Sequence, residues 1–433
     1  MAPAAGELVL CTAGDVLSIM AAEEGAGALA ALRTINNVTF GGGVAPTCLA
    51  HTPAEDAPDL LVGLSSGEVL LAALGDQVEK DAGGKRLVGA TSFNKENPSG
   101  AGCVCVAWSP LTTGLFSVAL SDGSVLMYQR PLVEDGPSNC RDTGMFGRGK
   151  PAEKVGGGPT VQWQIGFAPV EAIAFAPDGR RLGTCGRDGV FRLFDVESGT
   201  LVGGCTSYYG AFLCLAWSPD GQFVALGGED DLVCVYSVAD RCVVIWGEGH
   251  RSWVTGVAWD RHWQPPRKVF GATELGASGG SYRLVSVGQD TQVLWWDFEP
   301  PESVPEHRRA PSLSQSPLPL AKGPPSPAPK ASATKPKHRR GTPSATSGAS
   351  SAEGFGSNVS LEAGVGIVEA AAALSFTGLS DPIAPSVARA EMVWMSPLAQ
   401  SKCHDEPICA VAVSARALWT VCAGPRLRMW RRP

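Results

Sequence analysis

Ala216-Trp-Ser-Pro-Asp-Gly221, followed by Glu229-Asp-Asp-Leu-Val-Cys-Val-Tyr236, is the stretch that decides the fold. The same phrase occurs 42 residues earlier as Ala174-Phe-Ala-Pro-Asp-Gly179 and Arg187-Asp-Gly-Val-Phe-Arg-Leu-Phe194. In each copy, runs with apolar residues at alternate positions flank tight turns, which predicts short β-strands with one buried face. A period of about 40–45 residues made of such strands and turns is typical of the blades of a β-propeller.

Seven strand-rich segments extend this repeat along the chain and predict an all-β, seven-bladed WD-type β-propeller. At about 40–45 residues a blade, seven blades need roughly 300 of the 433 residues. Closure of the ring removes exposed sheet edges, so we expect strands near the N-terminus to lie beside the last segment. The segments are Glu7–Ala21, Thr47–Leu74, Cys103–Gln129, the two 42-residue copies, Gly249–Asp297 and Ile408–Trp430.

A long insertion interrupts the repeat before its last blade. Residues 300–390 begin with a stretch rich in Pro, Ser, Ala and Lys, which cannot bury enough apolar surface to order itself. We therefore predict propeller blades over residues 1–299, a disordered insertion over 300–390, and a final blade over 391–433 that is drawn from both sides of the insertion. The insertion holds a basic cluster, Lys330–Arg340, interpreted either as a nuclear-localisation signal or as a solvated run of charges.

Composition limits the classes of function. The formal net charge of −7 and the pI near 5.5 argue against nucleic-acid binding, which normally shows as a basic domain. The 13 Cys include no CxxC pair and predict reduced thiols in an intracellular protein rather than a disulfide framework. The sequence shows no signal peptide and no run of 18 apolar residues, so we expect no membrane span and a cytoplasmic or nuclear location, or both.

Polar residues in the sixth segment predict a structural network rather than a catalytic site. We letter the strands of a blade a to d in chain order. In a WD blade, a His before strand a, a Ser in strand b, an Asp in the b–c turn and a Trp in strand c can hydrogen-bond in series. Here these residues are His250, Ser286, Asp290 and Trp296.

Asp188 and Asp230 repeat the turn position of Asp290, each six residues before a large aromatic residue. Because they occur once per blade, these carboxylates are spread around a ring and cannot converge on one substrate atom. The chain has no GxxxxGK[ST], GxSxG or HExxH motif, and its six His do not cluster. We therefore predict that the protein is not an enzyme and that it holds no cofactor and no metal.

Aromatic residues in two connections between blades predict a partner interface. Connections from strand d to the next strand a lie on one face of a propeller, and turn geometry does not require aromatic residues there. Tyr and Trp backed by Arg dominate the energetically important positions of protein interfaces. The alternative is that the rings pack between blades. The candidate interface residues are Tyr208, Tyr209, Phe212, Arg251 and Trp253.

Several longer phrases carry a family resemblance: Ser207-Tyr-Tyr-Gly210, Leu213-Cys-Leu-Ala-Trp217, Gly227-Gly-Glu-Asp-Asp-Leu-Val233 and Gly249-His-Arg-Ser-Trp-Val254. With the insertion before the last blade, they make the chain similar to the WD-repeat protein 20 family. That family includes the dystrophia-myotonica WD protein and the fungal CreC catabolite-repression proteins. The resemblance implies a non-enzymatic protein that binds and activates ubiquitin-specific proteases of the 12/46 type, often alongside a second WD-repeat protein. It also implies that Tyr209 and Trp253 lie on the contact face.

The alternative function is a generic WD-repeat interaction scaffold, such as a substrate receptor of a cullin ubiquitin ligase. Such receptors commonly show Trp-Asp-x-Arg at a blade end. The equivalent stretches here are Phe194-Asp-Val-Glu197 and Trp296-Asp-Phe-Glu299, which place Glu where Arg is needed. This substitution counts against the alternative.

Overall fold

The structure is a computed structural model. It describes residues 8–23, 31–52, 58–79, 87–130, 154–263, 280–305, 308, 382–384, 386–424 and 426–431. All of them belong to one compact unit made of residues 1–323 and 381–433. They form seven separate β-sheets, which are the blades of a β-propeller, as the repeat predicts.

The first three blades follow one another along the chain. The first consists of β1 (Leu8–Ala13), β2 (Val16–Glu23) and β3 (Ala31–Thr39), and the second contains β4 (Pro46–His51), β5 (Asp59–Leu64), β6 (Val69–Ala73) and β7 (Thr91–Phe93), with helix α1 (Leu74–Glu79) after β6. The third begins with β8 (Cys103–Trp108), β9 (Leu115–Leu120) and β10 (Ser124–Gln129). The chain next pairs the two-residue β11 (Lys154–Val155) with the outer strand β7 of the second blade. It then adds β12 (Val161–Gln164) to the third blade.

The fourth and fifth blades each have four consecutive antiparallel strands, and the sixth has three before the insertion. They are β13 (Val170–Phe175), β14 (Arg181–Gly186), β15 (Val190–Asp195) and β16 (Thr200–Thr206); β17 (Phe212–Trp217), β18 (Phe223–Gly228), β19 (Leu232–Ser237) and β20 (Cys242–Glu248); and β21 (Val254–Trp259), β22 (Tyr282–Gly288) and β23 (Gln292–Phe298).

After the insertion, the chain passes along the outer edges of three blades before it forms the last one. The two-residue β24 (Ile383–Ala384) and β25 (Trp394–Met395), separated by a 3₁₀ turn (Arg389–Glu391), pair in parallel with β16 and β20. The strand β26 (Ala399–Lys402) then pairs antiparallel with β23 and supplies strand d of the sixth blade. The last blade follows as β27 (Ile408–Val413), β28 (Ala417–Cys422) and β29 (Leu427–Arg431).

This route corrects the predicted final domain. The sixth blade, not the seventh, is drawn from both sides of the insertion, and residues 391–433 contribute to three blades. Most of the predicted disordered insertion, including the basic cluster 330–340, lies outside the described residues. At its margins, Arg308 donates from Nη2 to the carbonyl of Val243 (2.8 Å) and lies 5.1 Å from the Trp246 ring centre. Arg389 pairs with Glu248 at 2.7 Å, so both margins lie against β20.

The expected pairing of N-terminal strands with the last blade is not found among the described residues. The strands β1–β3 form one sheet and β27–β29 form another, each with three strands. Within the described residues, no N-terminal strand is hydrogen-bonded to the last blade. The last blade therefore has no fourth strand in this part of the chain.

Hydrogen bonds between blades explain the 42-residue interval between Trp217 and Trp259. Trp217 donates its indole N–H to the carbonyl of Ala174 (3.0 Å), and Trp259 donates to Ala216 (2.9 Å). Each bond joins strand a of one blade to strand a of the preceding blade. The strands β18 and β19 are buried at all positions because blades pack on both of their faces, whereas alternation predicts one buried face. The described residues include no helix long and apolar enough to cross a bilayer.

Candidate partner interface

The sixth blade contains the complete predicted network. His250 Nε2 lies 2.7 Å from Ser286 Oγ, and Trp296 donates its indole N–H to the same oxygen at 2.8 Å. His250 Nδ1 lies 3.0 Å from the Asp290 carboxylate, which also accepts the backbone N–H of Arg251 at 3.0 Å. Burial alone would raise the pKa of Asp290, but the bonds from His250 and the backbone outweigh it and lower the pKa. The network therefore fixes the d–a connection to the b–c turn.

In the fifth blade, the Asp of the b–c turn has fewer hydrogen-bond partners. Asp230 accepts the backbone N–H groups of Leu232 (3.2 Å) and Tyr208 (3.3 Å). Leu226 stands where the sixth blade has Ser286, and Tyr236 stands where it has Trp296. Burial raises the pKa of Asp230 to about 6, because these backbone bonds offset only part of the desolvation.

The fourth blade uses its Asp in a third way. Asp188 accepts the N–H of Val190 at 3.1 Å and pairs with Arg192 at 2.7 Å. The repeated Asp residues thus serve separate turns. Among the described residues, no group of three or more His, Cys, Asp or Glu is placed to hold a metal ion.

A second, partial network in the last blade was missed by the sequence reasoning. His404 Nε2 lies 2.9 Å from Thr420 Oγ1, and the Trp430 indole N–H lies 3.4 Å from the same oxygen. Thr420 precedes Trp430 by ten residues, as Ser286 precedes Trp296, and this interval could have identified it. Gly424 occupies the place of the turn Asp.

Three exposed aromatic side chains lie on two d–a connections, as the candidate interface requires. Tyr208 and Tyr209 lie between β16 and β17, and Trp253 directly precedes β21. The exposed fractions of the Tyr209 and Trp253 side chains are 74% and 38%. Arg251 is also exposed and forms no ion pair with any described residue.

The fifth candidate, Phe212, is wrong as an interface residue because it is only 1% exposed. It is the first residue of β17, and the first residue of strand a points into the core in the neighbouring blades as well. Val170 and Val254, at the same place in β13 and β21, are equally buried. Phe212 therefore contributes to packing and not to the surface.

Phe167 is an interface candidate that the sequence reasoning missed. It lies on the d–a connection between β12 and β13, and its side chain is 63% exposed. It precedes Tyr209 by 42 residues, so the repeat interval could have identified it. Three successive d–a connections thus carry exposed aromatic residues. We call Phe167, Tyr208, Tyr209 and Trp253 the aromatic arc.

Polar contacts hold the middle of the aromatic arc in place. Arg187, in the b–c turn of the fourth blade, pairs with Glu229 in the b–c turn of the fifth at 2.8 Å. Glu229 in turn accepts the N–H of Ala211 at 3.1 Å. Gly210 has φ +66°, and a Cβ at this position would lie 2.9 Å from the Glu229 side chain, so only glycine fits the turn that presents Tyr209.

A cavity of about 840 Å³ lies on the opposite face of the ring, where strand a meets strand b. None of the predicted site residues lines it. The indole N–H groups of its Trp217 and Trp259 are already donated to backbone carbonyls, and Ser218 Oγ bonds to Asp220 at 2.6 Å. Its lining also includes Trp108, Pro110, Phe175, Pro177, Pro219 and Arg261. The Trp108 indole N–H, by contrast, has no hydrogen-bond partner among the described residues.

Known WD-repeat proteins share this sequence and architecture. The family model for the WD domain, G-beta repeat, matches residues 163–195 and 200–237. The chain is similar to the WD repeat-containing protein 20 homolog of Caenorhabditis elegans, with 30% identity over 215 residues. The match covers 46% of this chain and 27% of that protein, so the chain spans little more than a quarter of its relative. The resemblance to the WD-repeat protein 20 family is confirmed by this match.

The fold is also found in a solved structure, titled Crystal Structure of Mitotic Checkpoint Complex. The TM-score is 0.55, with 12% sequence identity over 98% of this chain and 84% of that chain. At this identity the likeness shows the fold alone. WD40 propellers generally serve as scaffolds for protein–protein interactions, and this chain has the repeats and the architecture of such a scaffold.

Proposed function

We propose that this protein is a non-enzymatic scaffold that binds and activates a ubiquitin-specific protease of the 12/46 type and so regulates deubiquitination. The observation that carries the proposal is the aromatic arc, in a chain similar to a WD repeat-containing protein 20 homolog. A second WD-repeat protein is a further expected member of the complex.

The aromatic arc has the chemistry of a protein-binding surface. Large aromatic side chains contribute much of the binding energy when a partner removes them from water, and Arg is enriched beside them. The arc offers Phe167, Tyr209 and Trp253 on three neighbouring blades, with Arg251 available for a carboxylate of the partner. We therefore expect the partner's surface to be apolar, with an acidic residue that meets Arg251 near the position facing Trp253.

Activation follows from a preference for one conformation of the protease. A partner that binds the active arrangement more tightly than the inactive one raises the population of the active arrangement. Rigid presentation of the arc supports this role, because Gly210, Glu229 and Asp230 fix the Tyr208–Tyr209 turn before any partner binds. The propeller itself then supplies no catalytic group.

The proposal is tested by mixing the purified full-length chain with a protease of the 12/46 type. We expect co-elution in size-exclusion chromatography and a rise in the turnover of a ubiquitin substrate. Trp253→Ala should weaken the complex while the Tm stays unchanged. Leu111→Ala is the matched control, because Leu111 is an exposed apolar residue on the a–b connection of the third blade, on the opposite face. The proposal fails if the chain neither co-elutes with the protease nor changes its turnover.

A parallel mixture with the adaptor of a cullin ligase distinguishes the proposed function from the alternative one. A cullin-ligase receptor would co-elute with the ligase adaptor instead of the protease, and Trp253→Ala would leave that complex intact. For localisation we propose the cytoplasm, the nucleus or both. A fluorescent fusion in which the Lys and Arg residues of 330–340 are replaced by Ala tests whether the basic cluster directs nuclear import.

A further inference from the structure

Two cysteines face each other at the seam between the second and third blades. Cys48 is the third residue of β4, and Cys103 is the first residue of β8, both of them strands a. Their Sγ atoms are 3.5 Å apart. Thr47 strengthens the same seam by donating its hydroxyl to the carbonyl of Cys103 at 2.7 Å.

The seam between the fifth and sixth blades has the same construction with one thiol fewer. Cys214, the third residue of β17, donates its thiol to the carbonyl of Val254, the first residue of β21, at 3.7 Å. A Cβ on Gly227 would lie 2.5 Å from Val254 Cγ1 and 2.9 Å from Cys214 Sγ. In the earlier seam, a Cβ on Gly63 would lie 2.4 Å from Cys48 Sγ and 2.5 Å from Cys103 Sγ. The position held by Val254 in one seam is thus held by Cys103 in the other.

We propose that Cys48 and Cys103 are a reversible redox pair that forms a disulfide between the second and third blades when the protein is exposed to hydrogen peroxide. The inference stands apart from the proposed protease partner, because neither residue belongs to the aromatic arc. A disulfide bond is about 2.05 Å long, so the two sulfurs must approach by about 1.5 Å. The absence of a Cβ at Gly63 provides the space in which the two sulfurs lie side by side.

The two thiols are not equivalent, and the difference assigns their roles. The hydrogen bond from Cys103 lowers the pKa of the Cys48 thiol and outweighs the effect of burial. The same contact, together with burial, raises the pKa of Cys103 well above its ordinary value. Since the thiolate is the nucleophile, Cys48 reacts first with peroxide.

The reaction balances with peroxide as the only oxidant. The Cys48 thiolate attacks one peroxide oxygen, the O–O bond breaks, and hydroxide leaves and is protonated to water. The Cys48 sulfenic acid is then attacked by the Cys103 sulfur. The S–S bond forms, the S–O bond breaks, and the oxygen leaves as a second water after taking up a proton. The two thiols lose two electrons and two protons in total, and excess glutathione reverses the change by thiol–disulfide exchange.

The test uses the full-length reduced protein, treated with hydrogen peroxide, blocked with N-ethylmaleimide and digested with trypsin without reductant. We expect a cross-linked pair of peptides, residues 34–80 and 96–141, that is two hydrogens lighter than the separate peptides and disappears with dithiothreitol. Because Cys105 and Cys140 also lie in the second peptide, fragmentation must place the bond at Cys103. The cross-linked protein should also have a Tm several degrees higher than the reduced protein.

Matched variants make the test specific. Cys103→Val copies the residue at the equivalent seam position and should abolish both the cross-link and the rise in Tm. Cys214→Ala removes the equivalent thiol of the other seam and should leave both unchanged. The proposal is overturned if peroxide oxidises the exposed Cys409 while Cys48 and Cys103 stay separate, or if Cys48 links to Cys105. The peptide map of the unmodified chain decides this even where a variant fails to fold.

Discussion

Asp230 and Asp290 occupy the same turn position in neighbouring blades, yet of the two only Asp290 is bonded to a histidine side chain. His250 supplies that bond in the sixth blade. In the fifth, Asp230 has the backbone N–H groups of Tyr208 and Leu232 in its place. Burial raises the pKa of both carboxylates, but only at Asp290 do the hydrogen bonds outweigh it, so the net pKa shifts have opposite directions.

This difference predicts opposite pH dependences for two Asn variants. The pKa of Asp230 is raised to about 6 in the fold, so the folded state takes up a proton before the unfolded chain does. The unmodified protein should therefore gain stability relative to Asp230→Asn as the pH falls from 7 to 4, by on the order of 2 kcal/mol. The pKa of Asp290 is lowered, so the stability that it contributes is present at neutral pH. That contribution is lost as the pH falls below the ordinary Asp value of about 3.9.

Urea unfolding at a series of pH values measures both differences. Each variant is compared with the unmodified protein at the same pH, which removes the titration of all other groups. Parallel curves for the unmodified protein and Asp230→Asn would contradict the raised pKa. A difference of the same sign for both variants would contradict the contrast between the two turns.

Removal of the Ser286 hydroxyl, to which both His250 and Trp296 are bonded, should destabilise the fold, whereas removal of the equivalent Thr184 hydroxyl in the fourth blade should not. Ser286→Ala leaves the ring nitrogen of His250 and the indole N–H of Trp296 buried without their partner. We expect a loss of about 2–4 kcal/mol in the free energy of unfolding, since each such buried group costs about 1–3 kcal/mol.

Thr184→Val is the matched control. Thr184 stands four residues before Asp188, as Ser286 stands before Asp290, and is fully buried, but its hydroxyl makes no hydrogen bond within the described part of the chain. The isosteric Val should leave stability unchanged or raise it slightly. Denaturant titration of both variants measures the contrast, and equal losses would refute a special role for the sixth-blade network.

Phe167 should contribute to the proposed complex as strongly as the aromatic residues that the sequence identified. Truncation of a well-buried interface aromatic commonly costs about 2 kcal/mol, or roughly a 30-fold rise in Kd. We expect this for Phe167→Ala in a titration with the protease, with an unchanged Tm. Tyr209→Phe is the control, because it keeps the ring and removes only the hydroxyl. An unaltered Kd for Phe167→Ala would confine the contact face to the fourth and later blades.

A chain cut within the insertion should remain one particle. The segment after the insertion is bonded to three blades through β24, β25 and β26 and then forms the last blade. A protease site placed near residue 345 should give two fragments that co-elute in native buffer and separate in denaturant. Size-exclusion chromatography of the cut protein measures this, and separation in native buffer would show that the edge pairings are too weak to hold the last blade.

The fold could be predicted because its decisive signal is local and repeated. The interval from Trp217 to Trp259 reflects a hydrogen bond that each indole makes to the preceding blade. The blade that each strand after the insertion joins could not be predicted in this way. The strand β26 has the sequence Ala-Gln-Ser-Lys and is exposed throughout, so it has no apolar alternation to reveal it. Its pairing with β23 depends on contacts across the insertion.

The candidate site was predicted in part for similar reasons. Tyr209 and Trp253 were found because they stand in d–a connections where turn geometry does not require aromatic residues, but aromatic character alone does not distinguish a surface ring from a core ring. Phe212 lies at the first position of strand a and is buried, whereas Phe167 lies before strand a and is exposed. That distinction depends on where each strand begins, which the periodicity of a sequence locates only to within a few residues.

The late arrival of β26 has a consequence for the order in which the protein is made. Trp295 of β23 pairs with Ala399, which the ribosome adds 104 residues later. At a synthesis rate of about 5–20 residues per second, the nascent sixth sheet keeps an unfilled edge for roughly 5–20 s. Five blades can therefore assemble during translation. Completion of the ring must wait for residues 399–431, and chaperone protection is most needed in that interval.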